Sequence, residues 1–374
     1  MRKGSRLVLV PVALMVLPVI WSDALAAPSV VRRDASAQEQ QAAAAYWTRE
    51  RIAAARPLPM LIDRGSPQVS LADLAQESLS GPPGSSPAGA PDASADQVAQ
   101  MAFWRDWAGL GEETLITEDS GAAEGTFGVY TFFDVNKQTP VWKQFPHRTV
   151  GKLTFTTPTG TASCSATAVS GNVIVTAAHC LYDTFGYSPG RWYTNWVFTP
   201  AYRNGSAPYG TFAWSSCTIL TAWINQTPPY SINNHARYDV GVCKVRNNAA
   251  GQTLNAAVGF AGRSWNQGYQ QLSFNMGYPA RYYNNTTITD GPAQYLRTCV
   301  AESFQQTTET LGMGCNWGAG ISGGPWLRTY KLFVGGANNY VNAVNSGLYV
   351  NQQNIYAGRF NSSNIVLLCN TAGC

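Results

Sequence analysis

Gly320-Ile321-Ser322-Gly323-Gly324-Pro325 sets a serine among glycines, and the fold turns on what stands before and after it in the chain. Glycines beside a serine let the backbone turn tightly and bring N–H groups up to a reacting carbonyl. By itself G-x-S-x-G also fits a strand-to-helix nucleophile elbow, in which the acid and the histidine follow the serine. No Asp, Glu or His occurs after Ser322, so that order is impossible here. An Asp-His-Ser order needs an aspartate upstream of His179, and the nearest, Asp134, lies at the margin of the cysteine-bearing part of the chain. The alternating strand and helix pattern of such folds is also missing. No S-x-x-K motif offers a serine–lysine pair. The order left is His, Asp, Ser.

Of the three histidines, His147 precedes the first strand, His235 lies in the polar stretch SINNHAR (231–237), and His179 follows an apolar strand in VIVTAAHC (173–180). Position favours His179 as the base. Asp183 is too close to it in sequence and Asp290 lies in a turn (ITDGP), whereas Asp239 opens the strand YDVGVCKV. Asp239 is therefore the candidate orienting acid and Ser322 the candidate nucleophile.

From about Val150 onward, short runs of Val, Thr, Phe, Tyr and Ile alternate with Gly, Asn and Pro clusters, which reads as an all-β barrel or sandwich. The earlier part differs. Residues 36–56 are rich in alanine and other helix formers, start near Ser36 and stop before Pro57, predicting a helix. Ser94–Trp107 carries a broad apolar face and predicts another, while residues 81–94 (GPPGSSPAGAPDAS) read as a linker whose role is reach.

All eight cysteines lie at or after Cys164. Spacing does not determine connectivity, and pairing of sequential neighbours is the expectation: Cys164–Cys180, Cys217–Cys243, Cys299–Cys315 and Cys369–Cys374. Tight Cys pairs and H-E-x-x-H are absent, so no metal is expected. Charge divides the chain at the same place. Ala27–Phe145 holds 9 Lys/Arg against 15 Asp/Glu, and Pro146 to the end holds 13 against 5. The basic residues are scattered, with no cluster suited to nucleic acid. An acidic partner within the same chain accounts for the imbalance. Residues 1–26 read as a signal peptide, with Arg2, Lys3 and Arg6, an apolar run to Trp21 broken by prolines, and Ala24-Leu25-Ala26 at the cut. An exported protein without a stable membrane anchor is expected, with disulfides to match.

Thr176-Ala177-Ala178-His179-Cys180, Asp239-Val240-Gly241-Val242 and Gly320–Pro325 resemble, in order, the three signature blocks of trypsin/chymotrypsin-like serine peptidases. Cys164-Ser165-Ala166-Thr167 resembles the strand that leads into the histidine block, which implies a Cys164–Cys180 disulfide beside the site. FPHRTVGKLTF, FNMGYPA, VGGANNY and NSGLYVNQQN are similar to the secreted glutamyl-endopeptidase-like branch. The resemblance spans about residues 140–370 and leaves the earlier part untouched. It implies two six-stranded antiparallel β-barrels over 136–374, and the acidic, partly helical stretch 27–135 before them is expected to be a pro-region. It also implies a secreted, cofactor-free endopeptidase acting on proteins or peptides, with Gly320 and Ser322 N–H groups as oxyanion hole.

Three positions depart from the family. Ile321 stands where trypsin-type zymogens carry an aspartate, so activation by a new N-terminal ion pair is excluded. Release of the pro-region, acting as intramolecular inhibitor and chaperone, is the expected trigger. Asn316 and Asn338 stand at the matching pocket positions and predict a neutral, amide-lined substrate pocket. A catalytically idle binding barrel and an esterase using the same three residues are the other readings that the sequence leaves open.

Overall fold

The computed structural model describes residues 29–65, 81–89, 130–135, 140–350 and 352–374. The expected signal peptide and the helix expected over Ser94–Trp107 lie outside the described residues. The chain from Val150 to Val245 forms six strands: β1 (Val150–Thr157), β2 (Gly160–Ser170), β3 (Val173–Thr176), β4 (Thr194–Pro200), β5 (Phe212–Leu220) and β6 (Gly241–Val245). They pair in the order β5-β4-β1-β2-β3-β6, and β6 pairs back onto β5, which closes an antiparallel barrel. Closure pairs the barrel strands with one another over part of their length, while stretches of β2 and β5 extend beyond their barrel neighbours and stay open to further pairing. Trp196 and Trp214 meet edge to face at 4.7 Å, and both are buried with Phe198, Ile219 and Val242 in the main apolar cluster.

Six further strands follow: β7 (Leu272–Gly277), β8 (Arg297–Glu302), β9 (Thr310–Gly314), β10 (Pro325–Arg328), β11 (Tyr340–Tyr349) and β12 (Asn354–Gly358). Their order is β9-β12-β11-β10-β7-β8, all antiparallel. The second unit is a curled half-barrel, less closed than two full barrels would be. The outer edge of β8 is taken by Tyr130–Asp134, and that of β9 by Phe304–Gln305, so the two edges cannot pair with each other. The Cys299–Cys315 disulfide crosses this seam, and all four disulfides join sequential neighbours as expected. The final helix, Leu367–Ala372, returns to pack on β5 and β6 of the first barrel. Among the described residues no helix is long and apolar enough to cross a membrane.

The segment before residue 136 clasps both barrels. Ser36 caps α1 (Ala37–Tyr46) through a capping box with Glu39, where the sequence predicted the helix start. The single helix expected over 36–56 is split, because Thr48 is extended and caps α2 (Arg49–Ala54), while the Trp47 indole N–H donates to the Asn195 carbonyl at 2.6 Å. Helices are not the main means of attachment. Val30–Asp34 adds antiparallel to β5, and Arg33 from this strand lies over Trp196 and Trp214. The linker reading of 81–94 is also corrected over its described part. Gly84–Ser86 pairs with Gly262–Trp265, and Ala88 and Gly89 bridge to Gly336 and Phe260. A β carbon at Gly84 or Gly89 would fall about 2.5 or 2.4 Å from the Trp265 or Phe260 ring, so small residues serve close approach here. Ion pairs of this segment among the described residues, Arg32–Asp34 and Arg33–Glu39, are internal to it. Strand pairing and ring contacts, more than the charge imbalance, hold its described part.

One buried cation lies under the clasp. The Lys152 ammonium, fully enclosed, donates to the Ile52 carbonyl at 2.8 Å and faces the Tyr202 ring at 5.0 Å. Burial pushes its pKa down to about 7. Below pH 7 the lysine is protonated whether folded or not, so the full burial penalty applies. Between pH 7 and the ordinary lysine range near 10 only the unfolded chain holds the proton, and stability rises with pH. The uncut wild-type chain should therefore gain Tm between pH 7 and 9, once other titrations are subtracted using Lys152→Met. That variant should be the more stable form at pH 6; equal pH slopes for the two would exclude the coupling.

Candidate active site

The first barrel supplies two of the candidate residues. β3 ends at Thr176 and a short 3-10 turn, Ala178–Cys180, carries His179; Asp239 directly precedes β6. Because β3 and β6 are paired, with Thr176 opposite Gly241, the two residues emerge at the same rim. The Asp239 carboxylate is 1% exposed and accepts three hydrogen bonds. Oδ1 takes the His179 backbone N–H at 2.8 Å; Oδ2 meets His179 Nδ1 at 2.6 Å and accepts from Ser346 Oγ at 2.5 Å. Ser346 gives its only proton to the carboxylate, so Tyr230, 2.8 Å away, must be the donor to Ser346 Oγ. Burial first, then the Asp239 charge, hold the Tyr230 hydroxyl well above its ordinary pKa, which keeps that donor protonated.

An ionised carboxylate accepts only, so His179 carries its proton on Nδ1 and presents a bare Nε2. That nitrogen is buried and has no hydrogen-bond partner. The other two histidines differ in kind. His147 is held between the Val141 carbonyl and the Tyr330 hydroxyl, and burial lowers its pKa to about 4. His235 accepts the Ser231 N–H on Nδ1.

The second barrel supplies Ser322 in the turn before β10. Gly320 (φ +96°) and Gly323 (φ +76°) lie in the left-handed half of backbone space that only glycine enters freely. Added β carbons would strike the Tyr278 carbonyl at 2.5 Å from Gly320, Thr176 Oγ1 at 2.1 Å from Gly323, and the Met276 carbonyl at 2.0 Å from Gly324. The contact of Gly323 with Thr176 and Ala177 presses the serine turn onto the residues leading to His179. Ser165 N–H donates to the Ser322 carbonyl at 2.8 Å, and the neighbouring Cys164 is joined to Cys180. Ser165 Oγ also donates to the Gly320 carbonyl, and the Asn345 amide to the Ile321 carbonyl, at 2.9 and 3.0 Å. Ile321 itself is fully buried in the apolar cluster of the second barrel.

Residues 56–63, from the segment before the barrels, fill the space in front of this turn. Arg56 and Pro57 pair parallel with Ala162 and Ser163 of β2, and Leu61–Asp63 pairs parallel with Gly347–Tyr349 of β11. Between the two pairings, Gly320 N–H donates to the Leu58 carbonyl at 3.2 Å, and Ser322 Oγ donates to Met60 Sδ at 3.1 Å. Asp63 accepts the Ile232 N–H at 2.7 Å. Ser322 is thus turned to the thioether, leaving His179 Nε2 unengaged.

His179, Asp239, Ser322 and Gly320 are brought together. Asn316 is buried beside the Cys299–Cys315 disulfide, within six residues of the serine. Asn338 is not brought in: its amide donates to the Gly335 carbonyl in the loop before β11. Ser346, the β11 residue at the site, lies six residues beyond the strand's first residue, Tyr340, about 20 Å along it. Sequence reasoning missed Ser346, Tyr230, Ser165 and Met60. Ser346 stood in the quoted NSGLYV block, where a hydroxyl before a glycine was the available signal; Met60 had none.

Comparison with known proteins gives the following. No protein-family model matches the chain. It is 24% identical to the thermostable serine protease AL20 from an extremophilic microorganism, with a TM-score of 0.50 over 60% of this chain and 97% of that one. The protease Anisep from Arthrobacter nicotinovorans is 29% identical, with a TM-score of 0.49 over 60% of this chain and 95% of that one. The extracellular metalloprotease of Bacillus subtilis (strain 168) is 26% identical over 192 residues, 50% of this chain and 53% of that protein. The chain thus spans about half the length of the curated relative it matches. That relative's name includes a metal, but here the one cluster of metal-ligand types among the described residues is Cys164, His179 and Cys180. Its sulfurs are joined in a disulfide and offer no thiolate, and His179 Nδ1 is engaged by Asp239, so these residues do not fit a metal. The chain has a chymotrypsin-like fold, and the two solved structures named above are proteases, AL20 a serine protease.

Proposed function

We propose that the chain is a secreted serine endopeptidase, made as a proenzyme and held inactive by its own segment Arg56–Asp63. The observation that carries this reading is the enclosed Asp239–His179 pair, with Nε2 bare, on the rim that meets the Ser322 turn. Once Met60 leaves, rotation of the Ser322 side chain brings Oγ to Nε2. Oγ attacks a peptide carbonyl while Nε2 takes its proton, and Asp239 stays ionised and stabilises the imidazolium. The Gly320 and Ser322 N–H groups receive the oxyanion; one such donor is worth about 3 kcal/mol of barrier. Nε2 returns the proton to the leaving amine, and water, activated by the same nitrogen, releases the acyl group from Oγ.

The pro-segment blocks this without being cut. The atom at the nucleophile is a thioether sulfur, which offers no electrophilic carbonyl. The carbonyl at the oxyanion donor belongs to Leu58, two residues earlier. No residue of the segment therefore presents one carbonyl to both groups. Export accounts for the four disulfides.

A fluorophosphonate should label the processed, exported chain one to one, and Ser322→Ala should abolish labelling and casein hydrolysis together. Asp239→Asn should lower kcat about 10,000-fold with little change in KM. Labelling that survives Ser322→Ala, or turnover of short esters without casein, would refute the endopeptidase reading.

A further inference from the structure

Met60 is the only side chain hydrogen-bonded to the Ser322 hydroxyl among the described residues, and it is 6% exposed. It is buried with the apolar cluster of the second barrel, which includes Trp317, Ile321, Leu348 and Ile355. Leu348 lies on β11, and its neighbour Gly347 is opposite Leu61; a β carbon at Gly347 would fall 2.7 Å from the Leu61 carbonyl. This glycine lets an extended peptide lie flat along β11 while a side chain of that peptide turns into the cluster. An extended segment adding to a strand draws affinity from main-chain bonds and selectivity from the pockets its side chains enter.

Resting on the serine-peptidase reading, we infer that the space occupied by Met60 is the primary specificity pocket, and that it selects an uncharged, unbranched side chain of methionine's length on the acyl side of the bond cut. The lining named above is apolar, and the nearby polar side chain flagged by sequence, Asn316, is neutral. Arg297, stacked over Trp317 at 5.5 Å, already donates to the Asp290 carbonyl. A carboxylate or ammonium entering the pocket would be desolvated among apolar side chains, whereas a flexible thioether adapts to an irregular apolar space. Aromatic rings compete with Trp317 for volume, and β-branched residues place their bulk at the strand, where Gly347 indicates close approach.

The test is cleavage profiling of the processed wild-type enzyme on internally quenched peptides varied at the residue whose carbonyl is attacked. Methionine and norleucine should lead, with leucine and glutamine within about tenfold. Glutamate, aspartate, lysine and arginine should be at least 100-fold lower in kcat/KM, since a factor of that size is what one unmatched buried polar group commands. In parallel, the uncut chain is compared with its Met60→Leu and Met60→Glu variants, each checked for folding by cooperative melting. Fluorophosphonate labelling should stay slow in Met60→Leu and rise at least tenfold in Met60→Glu. A processed enzyme that labels but prefers glutamate, a basic residue or an aromatic one overturns the pocket alone, as does a folded Met60→Glu chain that labels no faster than wild type. A processed chain that fails to label overturns the reading of the site itself.

Discussion

The enclosed carboxylate of Asp239 is the constraint on which the rest of the site depends. A charge with 1% exposure is tolerated only when its oxygens are satisfied, and three donors from two places in the chain do so. Two come from His179, backbone and ring, and one from Ser346 on the opposite half-barrel. Satisfying the charge therefore sets the imidazole tautomer and joins the barrels in one step. It also explains why the site lies at their junction: neither unit alone carries both the acid and its hydroxyl donor. Tyr230 completes the arrangement by donating to Ser346, which fixes the direction of every proton in the chain of bonds.

Across the seam, the serine turn is held by contacts to backbone carbonyls. Ser165 and Asn345 reach the carbonyls of Gly320 and Ile321, and Asn345 is itself locked by reciprocal amide bonds with Asn275 and by the Trp326 indole N–H. Glycines at 320, 323 and 324 are required because neighbouring backbone or hydroxyl atoms occupy the places their β carbons would take. A buried polar network of this kind rigidifies when fully bonded. The N–H groups of the turn are thereby aimed before any substrate arrives.

Much of this was legible because it is local or ordinal. The candidates His179, Asp239 and Ser322 come from chain order, since nothing acidic or imidazole-bearing follows Ser322, and the fold places the His179–Asp239 pair on the rim that meets the Ser322 turn. The capping box at Ser36 and Glu39 is a four-residue signal, and the cysteines proved to pair with their nearest neighbours. What escaped reading is non-local. Arg56–Asp63 has no periodicity that distinguishes it from a loop, and becomes two short strands only because β2 and β11 offer edges. The linker composition of 81–89 is real, yet its glycines serve close approach to Trp265 and Phe260 more than reach. Asn338 rests on a match to a family position on the strand after the serine, whereas here it lies in the loop ahead of β11, with its amide on the Gly335 carbonyl.

Ile321 links the turn's architecture to the way segment 56–63 fills the site. Where a newly exposed ammonium shapes the oxyanion turn, the residue before the nucleophile must be an acid. Here that residue is fully buried among apolar side chains, and no terminal charge has a partner to find there. The turn is already bonded in the uncut chain, its Gly320 N–H pointing at a carbonyl and its Ser322 hydroxyl at a sulfur. Activation on this reading is a matter of vacating a formed site. The clasp is built accordingly: pairings on β2 and β11 flank the occupied turn on both sides, so loosening either one frees only half of the segment. On the proposed reading both must yield before a substrate strand can take the cleft, and that requirement would make release of the segment cooperative.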